Sequence, residues 1–420
     1  MSRCDGSARD IVIAAVFGHA AFGAFWGAWG ASIPGVRTQA GLDDSQLGVA
    51  LLFVGVGAVP AMLLTGGAID RWGLHVTAPT IACLGASGVI VALAGQDLVW
   101  LSVALTLVGV TSGAADVTIN TVAGRAERDA GRPVITRVHA VFSTFVVIAS
   151  LGTGLLAGVG APVVTPFAFV AVATLVAAGL MVRTLSAHSA TRRADSAEIS
   201  PDANRRRPTS SSHPTQARRT VPTMSLIGFG LLGALAFASE NAHQSWSAIF
   251  ITDALGTDAS LGSLAPAVFA AAVATTRFAA GGIGIARARV VLATGSAAAA
   301  AGALIVSTAP NLTLSVVGLI TAAAGTAVLF PTVLGVMSTR VEETHRGRAT
   351  STVTTVAYLG FVLSPVYVGL WSGAVGIRGA MLAVAALGAL LLLLTLMVKP
   401  APSYTRPSHR HDSSQSFDTT

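Results

Sequence analysis

Charge is what this sequence has least of. Only 11% of its 420 residues are Asp, Glu, Lys or Arg, against roughly 25% in an ordinary soluble chain. So few charges cannot cover a water-facing surface, and a hydrophobic content of 53% points the same way. Cysteine is almost missing. Cys4 precedes the first apolar run and Cys83 lies inside the third, so the two do not share an oxidising compartment and no disulfide is expected. No Cys/His spacing suits a metal, and HExxH, GxSxG and phosphate-loop motifs are absent. No metal, no cofactor and no enzyme is therefore expected. Period-two alternation is lacking too, which argues against a membrane β-barrel.

What is present is a succession of apolar runs. A helix needs roughly 20 residues to cross about 30 Å of hydrocarbon. Twelve runs of that size follow one another, at about 11–33, 46–67, 76–95, 98–122, 134–158, 162–183, 223–250, 261–285, 289–307, 312–338, 348–373 and 379–398. The expectation is an all-α integral membrane protein with twelve transmembrane helices. Residues 184–221 interrupt the pattern with Ser, Thr, Pro and the basic clusters Arg192-Arg193, Arg205-Arg206-Arg207 and Arg218-Arg219. Such a segment has too little apolar surface to fold and reads as a disordered cytoplasmic linker, with binding to anionic lipid as a further option. The domains expected are a cytoplasmic N-terminus at 1–10, a six-helix bundle at 11–183, the linker at 184–221, a second bundle at 222–398 and a disordered tail at 399–420.

Orientation follows from the basic residues. With both termini in the cytoplasm, all but three of the 26 Lys and Arg fall on the inner side, the exceptions being Arg37, Arg277 and Arg378. This is the positive-inside pattern of a plasma-membrane protein, and it accounts for the net charge of +7 without nucleic-acid binding. Arg277, near the inner end of helix eight, is expected to snorkel.

The two halves repeat at an offset of about 215. Gly41-x-Asp43-x-Ser45 recurs as Gly256-x-Asp258-x-Ser260, Gly66-Gly67 as Gly281-Gly282, and Trp29 corresponds roughly to Trp246. A duplicated six-helix unit around a midplane cavity is a layout used by secondary transporters. Between helices two and three stands Gly66-Gly67-Ala68-Ile69-Asp70-Arg71-Trp72-Gly73. Its glycines suit close packing and a tight turn, while Arg71 can reach polar groups or lipid phosphate.

Twelve runs, a long basic central loop and a G-x-x-x-D-R-x-G motif resemble the major facilitator superfamily over roughly residues 11–398. Leu74 and His75 replace the basic residues that usually follow the motif. The resemblance implies two pseudo-symmetric six-helix bundles and a cytoplasmic gate at Gly66, Asp70, Arg71 and Gly73. It also implies an Asp70–Arg125 latch, closed when the cavity faces outward. The alternative for the motif is a turn that only fixes topology.

Ionisable groups in hydrocarbon cost several kcal/mol, so each is a functional candidate. Asp116 leads. Asn120 follows at i+4 on the same face, and antiparallel packing of helix five brings His139 level with Asn120 and Ser143 level with Asp116. A carboxyl withdrawn from water can take up and release a proton near neutral pH, so this cluster is a candidate for proton coupling or substrate binding, against a purely structural hydrogen bond. Asp116-x-x-x-Asn120 is similar to a helix-four pattern of the fucose permease branch, whose members are proton symporters for sugars. The acid which that branch carries on helix one is missing near Gly30.

Helix seven carries Glu240, His243, Gln244 and Ser247 at i, i+3, i+4 and i+7, one polar face expected to line the outward vestibule or to serve as a second proton site, unless it is simply hydrated at the interface. Trp26, Trp29 and Trp246 are candidate cavity aromatics, able to stack on an amphipathic solute, with interfacial anchoring as the alternative. Tyr358, Gly360, Pro365 and Gly369 suggest a bent helix eleven. The function expected is proton-coupled transport of a small polar or amphipathic solute by a monomer in the bilayer. An efflux antiporter is the rival, weakened because helix five lacks that class's Gly-Pro motif. A non-transporting membrane sensor is the alternative of another class.

Overall fold

The computed structural model describes residues 2–198, 223–280 and 284–397. All regular structure among them is helical: α1 (Ser2–Gln39), α2 (Asp44–Trp72), α3 (Thr77–Ala94), α4 (Leu98–Ala130), α5 (Ile135–Gly158), α6 (Val164–Glu198), α7 (Thr223–Ile249), a short α8 (Ala259–Gly262), α9 (Leu264–Ala280), α10 (Ala288–Thr308), α11 (Leu312–Arg340) and α12 (Glu343–Met397). Ten segments are long and apolar enough to cross a membrane. Two of them, Asp44–Ala94 and His345–Met397, run to 51 and 53 residues. At 1.5 Å per residue each would extend about 75–80 Å, far beyond a bilayer core of about 30 Å. Both are broken. The turn Gly73–Val76 separates α2 from α3, and Gly376, at φ 77°, interrupts α12.

The outward surface is apolar, as lipid requires. Leu63, Leu64, Leu155 and Phe278 are each at least 75% exposed. Many hydroxyls along the helices bond back to their own i−4 carbonyl, as Ser102 does to Leu98 and Thr121 to Val117, so they need no partner outside the helix. Side chains cap the starts of α2, α4 and α11: Asp43 accepts from Gln46 N in a reciprocal box, Asp97 from Trp100 N and Asn311 from Leu314 N. Each such cap contributes about 1 kcal/mol.

α1 to α6 pack among themselves, chiefly as α2 on α4, α1 on α5 and α6, and α3 on α6. α7 and α9 to α12 do likewise. The two groups meet mainly through α2 against α12 and α5 against α9. The internal repeat is visible in the backbone. Gly41 and Gly256 both take a left-handed φ, 64° and 62°, and each is followed by an extended N-cap aspartate, Asp43 or Asp258. The capping bond survives only in the first copy, since Asp258 makes none. The proposed match Gly281-Gly282 lies outside the described residues.

Some expected boundaries and features differ. α6 continues past residue 183 to Glu198, so the first part of the expected linker is helical, and the rest of it, like the tail, lies outside the described residues. At Gly66 and Gly67 an added Cβ would meet nothing within 4 Å among the described residues. They do not serve close packing here, whereas Gly73 supplies the left-handed turn at φ 70°. In α12 Pro365 sits within continuous helix, and the non-helical residue is Gly376.

Candidate functional site

Between the two helix groups lies a cavity of about 280 Å³. From the first group it is lined by Phe22, Trp26, Trp29, Asp116, Phe142 and Ser143, and from the second by Glu240, Asn241, Gln244, Phe269, Arg277, Tyr358 and Phe361. Aromatic walls with a few converging polar groups are the usual constitution of a small-molecule site. Phe22 and Trp26 meet edge to face at 6.2 Å, and Phe22 packs on Phe142 at 5.8 Å.

Helical spacing brings the expected helix-four pair together. Asn120 Nδ2 donates to Asp116 Oδ1 at 3.0 Å and to the Asp116 carbonyl at 2.9 Å. Ser143 shares the cavity with Asp116, while His139, one turn before Ser143 on α5, is not among the described lining residues. His139 itself bonds the Ile135 carbonyl at 2.9 Å and packs its ring on His19 of α1, centroids 5.2 Å apart.

The polar stripe of α7 does not behave as one face. Glu240 and Gln244 line the cavity, with Gln244 Nε2 donating to Glu240 Oε1 at 3.2 Å. His243 and Ser247 turn away and are buried, at 1% exposure each. The His243 ring stacks on Phe269, and neither of its nitrogens has a partner among the described residues. A stripe spanning i to i+7 is wide enough to straddle two neighbours, and here α9 takes one edge of it. Trp246 is also buried completely, with its Nε1 unpartnered among the described residues, so it belongs to the core, while Trp26 and Trp29 do line the cavity.

Arg277 was expected to snorkel, and it does not. Its Nη2 donates to both Glu240 oxygens, at 3.2 and 3.4 Å, and its Nε to the Ala327 carbonyl at 3.2 Å. An arginine read alone on an apolar helix gives no hint of an acid on a different helix. The nearest sequence signal was that both residues stand in apolar runs, where an unpaired charge is costly.

The two ends of the molecule differ. At the far end, opposite the segment joining α6 to α7, Arg37 joins Asp44 and Asp253, each at 2.5 Å. There too Ser372 donates to Asp44 at 2.5 Å and Ser45 to the Gly369 carbonyl at 3.3 Å. Asp253 and Ser372 belong to the second helix group, so three of these contacts bind the groups together. Sequence reasoning set Arg37 aside as an exception to the charge pattern and missed this cluster. At the linker end, Asp70 is exposed and forms no ion pair among the described residues, and Arg125 pairs instead with Asp129 at 3.0 Å. Arg71 lies over the Trp72 ring at 5.3 Å. The expected Asp70–Arg125 latch is thus unmade in this conformation, whose closed end is the other one.

Known proteins share this architecture. An uncharacterized MFS-type transporter of Yersinia pestis is 26% identical over 385 residues, covering 90% of this chain and 92% of the relative. An uncharacterized transporter, y4wD, of Sinorhizobium fredii is 26% identical with 90% and 95% covered. Among solved structures, an inward-facing, unoccupied bacterial homolog of the human lysosomal transporter Spinster superposes with a TM-score of 0.69 at 15% identity, over 93% of this chain and 96% of that one. A D-xylose-proton symporter gives 0.66 at 14% identity, with 93% and 98% covered. At such identities the structures speak to the fold alone. The model of the Major Facilitator Superfamily matches residues 15–287 and 229–419. Together with the cavity between two helix groups, that match makes this chain a multi-pass membrane protein of the Major Facilitator Superfamily, a family of secondary transporters and not of enzymes.

Proposed function

We propose that the chain is a proton-coupled transporter of a small polar or amphipathic solute, working by alternating access with Asp116 as the coupling carboxyl. The observation that carries this is Asp116 in the wall of the central cavity, its oxygen held by Asn120 and facing helices of the other group. An intramembrane acid beside a cavity is a common element of proton relays. Counting Asp44–Ala94 and His345–Met397 as two crossings each turns ten apolar segments into twelve, in two six-helix bundles. The basic residues put the linker end and both termini in the cytoplasm of a plasma-membrane protein. The conformation described is then inward-facing, with the Arg37 cluster closing the outer side. The spacing Asp116-x-x-x-Asn120 favours the fucose permease-like branch and a polar solute, although Gly30, which lines the cavity, stands near where that branch has a second acid. Site roles follow: Asp116, Asn120, His139 and Ser143 serve coupling, Trp26 and Trp29 stack on the solute, and Asp70 with Arg125 latches the cytoplasmic side in the opposite state.

The test is flux in proteoliposomes carrying the full-length protein, under an imposed inward proton gradient, across sugars, polyols, organic acids and hydrophobic cations. Asp116→Asn is expected to abolish gradient-driven accumulation while retaining counterflow. Gradient-driven accumulation undiminished in Asp116→Asn would refute the assignment.

A further inference from the structure

Arg277 is built like a docking group whose partner is only provisional. Among the described residues lining the cavity it is the one cation, facing the two acids Asp116 and Glu240. Its Nε is anchored on the Ala327 carbonyl, which fixes the plane of the guanidinium. Glu240 engages it through Nη2 alone, both carboxylate oxygens sharing that nitrogen at 3.2 and 3.4 Å. Nη1 donates to no group among the described residues, and the side chain is 46% exposed and lines the cavity. The preferred arrangement of an arginine with a carboxylate is a fork in which two nitrogens each meet one oxygen. Glu240 leaves that fork half used. It is also tied to Gln244, a partner able to keep its carboxylate solvated once the arginine is taken by something else.

We propose that the transported solute carries a carboxylate, which docks on the Nη1–Nη2 fork of Arg277 and displaces Glu240, with an apolar or aromatic body lying against Phe142, Phe269 and Phe361. This rests on the transport function above and specifies its substrate class. Charge balance supports it. With both acids ionised the lining carries a net single negative charge, and an incoming carboxylate would add a second. Protonation of Asp116, which is neighboured by Tyr358 of α12 in the same cavity and by His139 of α5, packed on His19 of α1, removes one, so carboxylate and proton binding favour each other, as binding linkage requires. The cargo would then be an anion moving together with a proton. Glu240 acts as the resident stand-in that keeps Arg277 satisfied while the cavity is empty, where an unpaired charge would be costly.

The experiment is a titration of the purified full-length protein with benzoate and with its neutral isostere benzamide. Trp26 and Trp29 in the cavity wall supply the fluorescence signal, and melting temperature supplies an independent readout. Benzoate is expected to bind the parent protein more weakly at pH 8 than at pH 6. In Glu240→Gln, where the competing carboxylate is gone, it should bind at least tenfold tighter. Arg277→Gln should lose it, and the double variant Glu240→Gln/Arg277→Gln, which leaves no unpaired charge to unfold the protein, should lose it as well. Benzamide should not distinguish these proteins. Equal binding of benzoate and benzamide, unchanged benzoate affinity in Glu240→Gln, or no benzoate binding in either parent or Glu240→Gln would overturn the proposal. Neutral solutes binding and accumulating under a proton gradient would overturn the carboxylate class while sparing the transport function. Carboxylate binding with no flux of any solute would do the reverse.

Discussion

Removing Asp253 should open the far end of the molecule by a calculable amount. Arg37 and Asp253 lie 216 residues apart, on different helix groups, and form the one ion pair joining those groups among the described residues. Arg37–Asp44 stays within the first group, so it persists when the groups separate and cancels from the equilibrium. Two unit charges about 4 Å apart attract by about 4 kcal/mol at an effective dielectric of 20. Asp253 is 36% exposed and Arg37 16%, so hydration recovered on opening offsets most of that gain, and exposed pairs of this kind typically retain about 1 kcal/mol or less. One kcal/mol is about a fivefold change in the ratio of closed to open far end at 25 °C. The assay is the distance distribution between spin labels at Gln96→Cys and Pro310→Cys, exposed far-end positions on the two groups, in a background with Cys4 and Cys83 replaced. Asp253→Asn should move the population toward the long distance by about fivefold, Arg37→Gln by a similar factor, and the double variant by no more than either alone. In 1 M salt, where screening acts over about 3 Å, the effect should shrink. Additive shifts from the two substitutions, or no shift in either, would refute the claim that this pair holds the far end closed.

Other substitutions test the same structure elsewhere. At Gly48 an added Cβ would sit 2.7 Å from the Pro365 carbonyl oxygen and 3.0 Å from Gly369 Cα, both backbone. Gly48→Ala should therefore push the far end open, by about 1–3 kcal/mol of overpacking, whereas Gly152→Ala, which meets nothing within 4 Å, should leave the label distances unchanged. Among the described residues neither buried ring nitrogen of His243 has a partner, so His243→Leu should leave the melting temperature unchanged or raise it, because an unsatisfied polar pair disappears. A drop of several degrees would mean the ring has a hydrogen-bonding role. Asp129→Asn frees Arg125 from its i+4 partner, a contact worth about 0.3–0.5 kcal/mol. If Asp70 is the alternative partner, the linker-end-closed population should about double, and the added substitution Asp70→Asn should cancel that gain.

Much of the architecture was legible because the bilayer enforces it locally. A run of about twenty apolar residues is a span wherever it lies, and the described helices fall on expected runs, from α1 over 11–33 to the last stretch of α12, which ends at Met397. The recurrence of Gly41-x-Asp43 as Gly256-x-Asp258 was legible as a pattern, and the structure adds that both glycines take a left-handed φ, a demand on one residue and its near neighbours. Asp116 and Asn120 met as expected because helical pitch alone puts i and i+4 on one face. The α7 stripe failed on the same pitch. Periodicity states which residues share a face, and it does not state whether that face meets a cavity or the side of another helix, so His243 and Trp246 were misplaced while Glu240 and Gln244 were not.

The sequence by itself determined that this chain is an all-helical membrane protein with an acid in the middle of its fourth helix, because composition and helical pitch act over a few residues at a time. Only the tertiary structure decided which charges meet. Arg277 finds Glu240 across 37 residues and Arg37 finds Asp253 across 216, through the docking of helices that no local rule orders, and those two arginines mark the central cavity and the closed far end.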